Sequence, residues 1–339
     1  MDSALQKFKK LSTEIETIHK VLNWFRYIFL IMAIASNLVV CFVMMKTKHR
    51  RKTLSKFFIF HLAKTDIAFR ILEVYELITE RASHGELSST HCKIIVFFQY
   101  VCAAVLFSLL AGIALERSKN IIHPLESIKG RYHHRRKRTV AFIWLYALSI
   151  SATFLYSATS ITFTRHFHST RNNSTQGFAN STDGFSDNIT FKSPKTHCVA
   201  GPRVSLQSQV SFTIYFVGGF FVPLCTMATC YIRVFCFLSN RAKNSMLNRS
   251  VVRSKRKTVF VLLLLVLSFL ISWGPIMMLE LIESFVLLGK EVQPWVRPVA
   301  EVFCLSSSIL NPFIYAFGNT AFRKHAINLL SCNRKLNCY

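Results

Sequence analysis

The sequence is short of acidic side chains, of glycine and of proline. Its 339 residues include 16 Asp and Glu against 42 Lys and Arg, with 11 Gly and 8 Pro. So few Gly and Pro exclude collagen-like and low-complexity chains. Charged residues make up only 17%, where a soluble domain carries about 25%, and 51% of the chain is hydrophobic. That balance excludes disorder and argues against two soluble domains, which the length alone would allow. No phosphate-cradling loop, metal-spaced His/Cys set or nucleophile triad is found, so no enzymatic chemistry is expected. The opening stretch, MDSALQKFKKLSTEIETIHK, lacks the apolar core of a cleaved signal peptide. A net charge of +26 would suit nucleic acid. The basic residues, however, sit in short blocks between long apolar runs, which speaks against it.

Those runs dominate the chain. A membrane-spanning helix needs about 20 mostly apolar residues. Seven candidates lie at 24–45, 57–79, 94–115, 139–162, 208–237, 258–286 and 295–317, and nothing inside them reads as a strand. The first, third, fourth, fifth and sixth are clear. The second carries Lys64, Asp66, Arg70, Glu73 and Glu76, and the seventh is broken by Ser306, Ser307, Ser308, Asn311 and Pro312. The expected fold is an all-α membrane protein. Residues 1–23 precede a seven-helix bundle at 24–317, and residues 318–339 form a short cytoplasmic amphipathic eighth helix and tail. The first span would act as an uncleaved anchor.

Lys and Arg beside the spans set orientation. Six lie in 46–56, eight in 117–138, eight in 233–257 and four from 319 onward, so 26 of the 42 fall on one side. That side is expected to be cytoplasmic, with attraction to anionic membrane lipid, and the N-terminus extracellular. The long loop at 163–207 then lies outside. It carries glycosylation sequons at Asn172, Asn173, Asn180 and Asn188, the first two overlapping. Among ten cysteines, Cys92 and Cys198 are the only two in outer loops, where oxidation is possible, and are expected to pair. Cys332 follows the expected eighth helix and is a candidate for palmitoylation.

Seven motifs occur in order along these spans. They are Asn37 in Ser-Asn-Leu-Val-Val, Leu62-Ala63-Lys64-Thr65-Asp66, Glu116-Arg117-Ser118 with Pro124-Leu125 behind it, Trp144, Pro223 with Tyr231, Ser272-Trp273-Gly274-Pro275, and Asn311-Pro312-Phe313-Ile314-Tyr315. Arg117 lies 25 residues beyond Cys92, about 37 Å along one helix. Together they resemble the rhodopsin-like (class A) G-protein-coupled receptors over about residues 24–335. The resemblance implies a plasma-membrane receptor that signals by outward movement of the sixth helix and nucleotide exchange on a heterotrimeric G protein. The switch residues would be Asp66, Glu116, Arg117, Pro223, Tyr231, Phe269, Trp273, Pro275, Asn311, Pro312 and Tyr315. Ser118 stands where the family usually has Tyr. The resemblance also implies a sodium ion at Asp66, Ser308 and Asn311. Against it, Leu106 stands where relatives offer a Ser, Arg70 one turn above Asp66 is an alternative counter-charge, and a polar knot without any ion is a third reading.

For the ligand, Gln99 occupies the position where monoamine receptors place an Asp, and no Lys lies in mid-span seven for retinal. Glu73, Glu76, Glu280 and Glu301 line the outer halves of the spans. They fit a basic neuropeptide or peptide hormone, with a lean toward the vasopressin/oxytocin and gonadotropin-releasing-hormone branch. Solvation or internal pairing of these acids is the alternative. A non-signalling or constitutively active receptor of the same fold, and a transporter or channel, remain the rival functions.

Overall fold

A computed structural model describes residues 2–46, 54–82, 88–123, 132–167, 191–201, 205–243, 249–286, 295–318 and 327. Helix α1 runs Asp2–Lys46, α2 Leu54–Ala82, α3 Ser89–Ile122 and α4 Tyr132–Ser151, the last extended by a single turn, α5, at Phe154–Ser157. The fifth span is built from α6 (Leu206–Ile214), a π-helical segment (Tyr215–Phe221) and α7 (Val222–Lys243). The sixth is α8, Arg249–Phe285, and the seventh α9, Val296–Gly318.

Five of these helices are apolar and long enough to cross a membrane by themselves, and they are the five whose sequences are clear. The second span buries Asp66 and Arg70 in the bundle, while its Lys64 stays exposed. Burial shows the inside-out pattern of a chain solvated by lipid. Asn37, Asp66, Arg70 and Ser308 are buried, while Ile31, Phe142, Leu145, Ile232, Phe235 and Ile271 are exposed. Phe142 is 69% exposed. Such an apolar girdle would drive aggregation in water, whereas in a bilayer it faces solvent of its own kind. The third helix is the axis of the bundle. Ala103, Ala104, Val105, Phe107, Leu109 and Ala114 all lie within its buried set, and it packs against the second, fourth and fifth spans.

The fourth span ends earlier than its apolar run. Residues 159–162, expected to be helical, open strand β1 (Thr159–Phe167), which pairs antiparallel with β2 (Phe191–Val199). The run Thr-Ser-Ile-Thr-Phe-Thr alternates and is rich in β-branched residues, which favour a strand. A strand leaving a helical bundle must have its backbone groups paired, and β2 supplies the partner. Cys198 on β2, opposite Ser160, is bonded to Cys92 at the start of α3 with the Cα atoms 5.1 Å apart. The hairpin is thereby pinned to the third helix, as the pairing of the two cysteines anticipated.

The π-segment follows from its sequence. Val222 donates its amide to Val217 instead of Gly218, and Pro223 has no amide to give. The Gly218 carbonyl is left without a backbone donor, and the Tyr146 hydroxyl of the fourth span fills the vacancy at 3.0 Å. A Cβ on Gly218 would stand 3.1 Å from that hydroxyl, tight enough that the tyrosine would have to shift by a few tenths of an ångström. The expected eighth helix at 319–331, the sequons Asn172, Asn173, Asn180 and Asn188, and Cys332 lie outside the described residues, apart from Ile327, which is helical.

The Cys92–Cys198 link closes 106 residues of chain, which on chain entropy is worth about 4–5 kcal/mol. Replacing either cysteine by Ser should lower the thermal unfolding midpoint of the detergent-purified protein by several degrees. An unchanged midpoint would mean that the hairpin is held by other contacts.

Candidate functional site

The buried centre of the bundle is polar. Asp66, on the second span, is 2% exposed. The Asn37 amide donates to its Oδ2 at 2.8 Å, and the Ser308 hydroxyl donates to its Oδ1 at 2.6 Å. Asn37 also donates to the carbonyls of Ala33 and Ser308, both acceptors only, which fixes the amide orientation. Spans one, two and seven are thus tied at one point. Arg70, one turn along α2, is 0% exposed. Its Nε lies 3.0 Å from Ser308 Oγ and 3.5 Å from Asp66 Oδ1, and its Nη1 is 2.7 Å from Glu73 Oε2. The guanidinium lies over the Phe69 ring at 4.5 Å. Asn311 is half-buried, and among the described residues it makes no hydrogen bond to Asp66.

Next to this knot lies an aromatic cluster. Trp273 of the sixth span stacks on Phe69 at 5.8 Å and meets Phe107 edge-on at 4.8 Å. Phe107 also meets Phe269 at 4.8 Å and Phe220 at 5.8 Å, and Phe220 stacks on Phe269. Trp273 donates its indole N–H to Ser307 at 3.0 Å, and the adjacent residues Ser272 and Ser306 are hydrogen-bonded to each other. Pro223, buried, follows Phe220 by three residues. Pro275 is exposed, and α8 continues through it. Phe69 and Phe220 belong to the cluster although the sequence motifs do not mark them; an aromatic three residues before Pro223 was the only signal for Phe220.

Toward the disulfide end the carboxylates come together, but each meets a polar partner of the protein's own. Gln99 donates to Glu76 at 2.6 Å. Arg297 forks, one nitrogen 2.7 Å from Glu280 and the other 2.6 Å from Glu283. Arg26 reaches Glu301 at 2.9 Å, joining the first span to the seventh. Of these arginines only Arg70 stands out in the sequence. Arg297 reads as a loop charge, yet it lies in the first turn of α9, and its four-residue spacing to Glu301 was the available clue. Tyr100 donates no direct link to the acids but stacks on Phe154 at 3.9 Å, while Tyr215 donates to the Tyr100 carbonyl.

At the opposite end, Glu116 is buried and Arg117 half-buried. Arg117 lies within electrostatic reach of Tyr231, itself 3% exposed. Pro312 is half-buried, and Tyr315 lies on the closing turns of α9 with its side chain outside the described residues.

A family model described as "7 transmembrane receptor (rhodopsin family)" matches residues 36–315. The chain belongs to this receptor family. It is a multi-pass membrane receptor and not an enzyme. Galanin receptor type 1 of Rattus norvegicus is 24% identical over 310 residues, covering 91% of this receptor and 81% of the relative. A QRFP-like peptide receptor of Branchiostoma floridae is 25% identical, covering 91% and 77%. Rhodopsin of Galeus melastomus is also 25% identical, covering 93% and 81%. Overall identity therefore separates the family from other proteins but does not separate ligand classes within it.

Removing Arg297 would leave Glu280 and Glu283 facing one another. Arg297→Gln should lower the unfolding midpoint, and adding Glu280→Gln and Glu283→Gln should restore most of the loss. If the triple variant is no more stable than the single one, the fork contributes through packing instead of charge.

Proposed function

We propose that this receptor sits in the plasma membrane with its N-terminus and disulfide outside, binds a peptide bearing a basic group, and signals through a heterotrimeric G protein. The carrying observation is the charge balance at the disulfide end. Five carboxylates (Glu73, Glu76, Glu280, Glu283 and Glu301) gather there with three guanidiniums (Arg26, Arg70 and Arg297) among the described residues. Carboxylates outnumber guanidiniums in this set. A cationic ligand gains most where low-dielectric walls concentrate such a field. Glu76, half-buried and hydrogen-bonded to the Gln99 amide, is the contact assigned to a ligand cation.

The relatives agree in kind. Two of the three are receptors whose names specify peptides, while the opsin's ligand chemistry has no counterpart here, because α9 contains no lysine. Signalling would run from the carboxylates through Trp273 and the Phe107–Phe269–Phe220 contacts to an outward movement of the inner end of α8. Arg117 and Tyr231 would then meet the G protein. Charge asymmetry supports the orientation, since 26 of 42 Lys and Arg fall beside the ends away from the disulfide.

Nucleotide exchange on purified G proteins, with the receptor in nanodiscs and a library of basic, neutral and acidic peptides, tests the reading. Basic peptides should stimulate exchange, and Glu76→Gln should raise their half-maximal concentration by about 10- to 100-fold, the worth of one charge-assisted hydrogen bond. Activation by acidic peptides alone, or an unchanged potency, would overturn the ligand assignment. The orientation is checked separately. Endoglycosidase should reduce the apparent mass, and Gln at Asn172, Asn173, Asn180 and Asn188 should abolish that shift.

A further inference from the structure

Asp66 has a permanent counter-ion in the chain itself. We infer that the Arg70 guanidinium occupies the role of a dissociable metal cation at Asp66, so that this receptor does not bind sodium there and its conformational equilibrium does not respond to sodium.

The donor set carries the inference. A metal ion needs lone pairs directed at it. Around Asp66 the partners present hydrogens. Asn37 points its N–H at Oδ2, Ser308 points its O–H at Oδ1, and Arg70 lies alongside Oδ1. The Ser308 oxygen, the remaining lone-pair source, already accepts from Arg70 Nε. Asn37 cannot turn its carbonyl inward without losing its bonds to two backbone carbonyls. From the third span, Leu106 contributes no oxygen side chain, and among the described residues Asn311 makes no hydrogen bond to the carboxylate.

Charge leads to the same place. The guanidinium is fully buried and fixed at three points: Ser308, Glu73 and the Phe69 ring. A second cation of like sign within a few ångströms in this low-dielectric interior would be strongly repelled. A soluble ion leaves when its concentration falls or its pocket collapses, whereas Arg70 is covalently attached and always ionised. Neutralisation of Asp66 is therefore constant. Arg70 also spans Asp66 and Glu73, so it connects the carboxylate knot to the acidic outer lining, and its stacking partner Phe69 stacks in turn on Trp273.

The test needs neither the natural ligand nor a G protein, so it is independent of the proposed function. Purified receptor in nanodiscs is melted in sodium chloride and in N-methylglucamine chloride of equal ionic strength, and sodium-23 NMR line broadening is recorded in parallel. The wild-type protein should melt at one temperature in both salts and cause no saturable broadening. Arg70→Met, which vacates the site, should gain a saturable sodium-specific rise in melting temperature. Should that variant fail to fold, Arg70→Met with Glu73→Gln removes the stranded acid and serves instead. Saturable sodium stabilisation of the wild type would overturn the inference. So would a vacated site that stays indifferent to sodium, since Arg70 would then not be what closes it.

Discussion

A charge inside hydrocarbon must find its opposite within the bundle, and much of this architecture answers to that constraint. The second span carries Asp66, Arg70 and Glu73 on successive turns. Facing lipid, they would make the helix untenable as a membrane segment. Turned inward, they fix its rotation, and they demand polar partners from the neighbours. Asn37 and Ser308 are those partners, so the first and seventh spans are set in register by the same requirement. Replacing the knot with apolar residues could leave the bundle as stable. What the ions provide is a single arrangement of three helices.

Two kinds of ion pair therefore coexist. The Asp66–Arg70 pair is dry and held on several sides. The Arg297 fork and the Arg26–Glu301 bridge lie nearer the open end, with the Arg297 side chain 41% exposed. Exposed pairs are weak and exchange partners readily. Arg297, the more exposed of these arginines, can swing away from its carboxylates, whereas Arg70 has nowhere to go. Between the two zones lies the aromatic contact of Phe69, Phe107 and Trp273, close-packed and able to pass a displacement on without deforming gradually.

The spans and their order were legible from apolar run length, which depends only on the bilayer. The disulfide was legible because two cysteines alone fell on the side that Lys and Arg placement marks as oxidising. The polar centre was partly legible, since an Asp and an Arg four residues apart in an apolar run already pair along one helix face. What escaped were features decided between elements. Residues 159–162 look helical by composition, but pairing with a distant strand overrides that preference. Arg297 looks like a loop charge until the first turn of α9 places it beside Glu280 and Glu283, and Arg26, midway along α1, meets Glu301 only through helix packing. The π-segment needed Tyr146 from another helix to satisfy Gly218, and no local pattern announces such a partner.

The large positive charge and the acidic cluster have one explanation on the proposed threading. Basic blocks at 46–56, 117–138 and 233–257 hold the inner ends at an anionic leaflet, where each Lys or Arg near the surface contributes about 1 kcal/mol. The carboxylates collect at the other end, separated from those blocks by the length of the third helix. Debye screening in water on either side isolates the two fields from each other. On that threading the acids would act on a ligand much as they would in an acidic protein, despite a formal charge of +26. Net charge describes how this receptor lies in its membrane, while local charge, counted pair by pair, describes what it can bind.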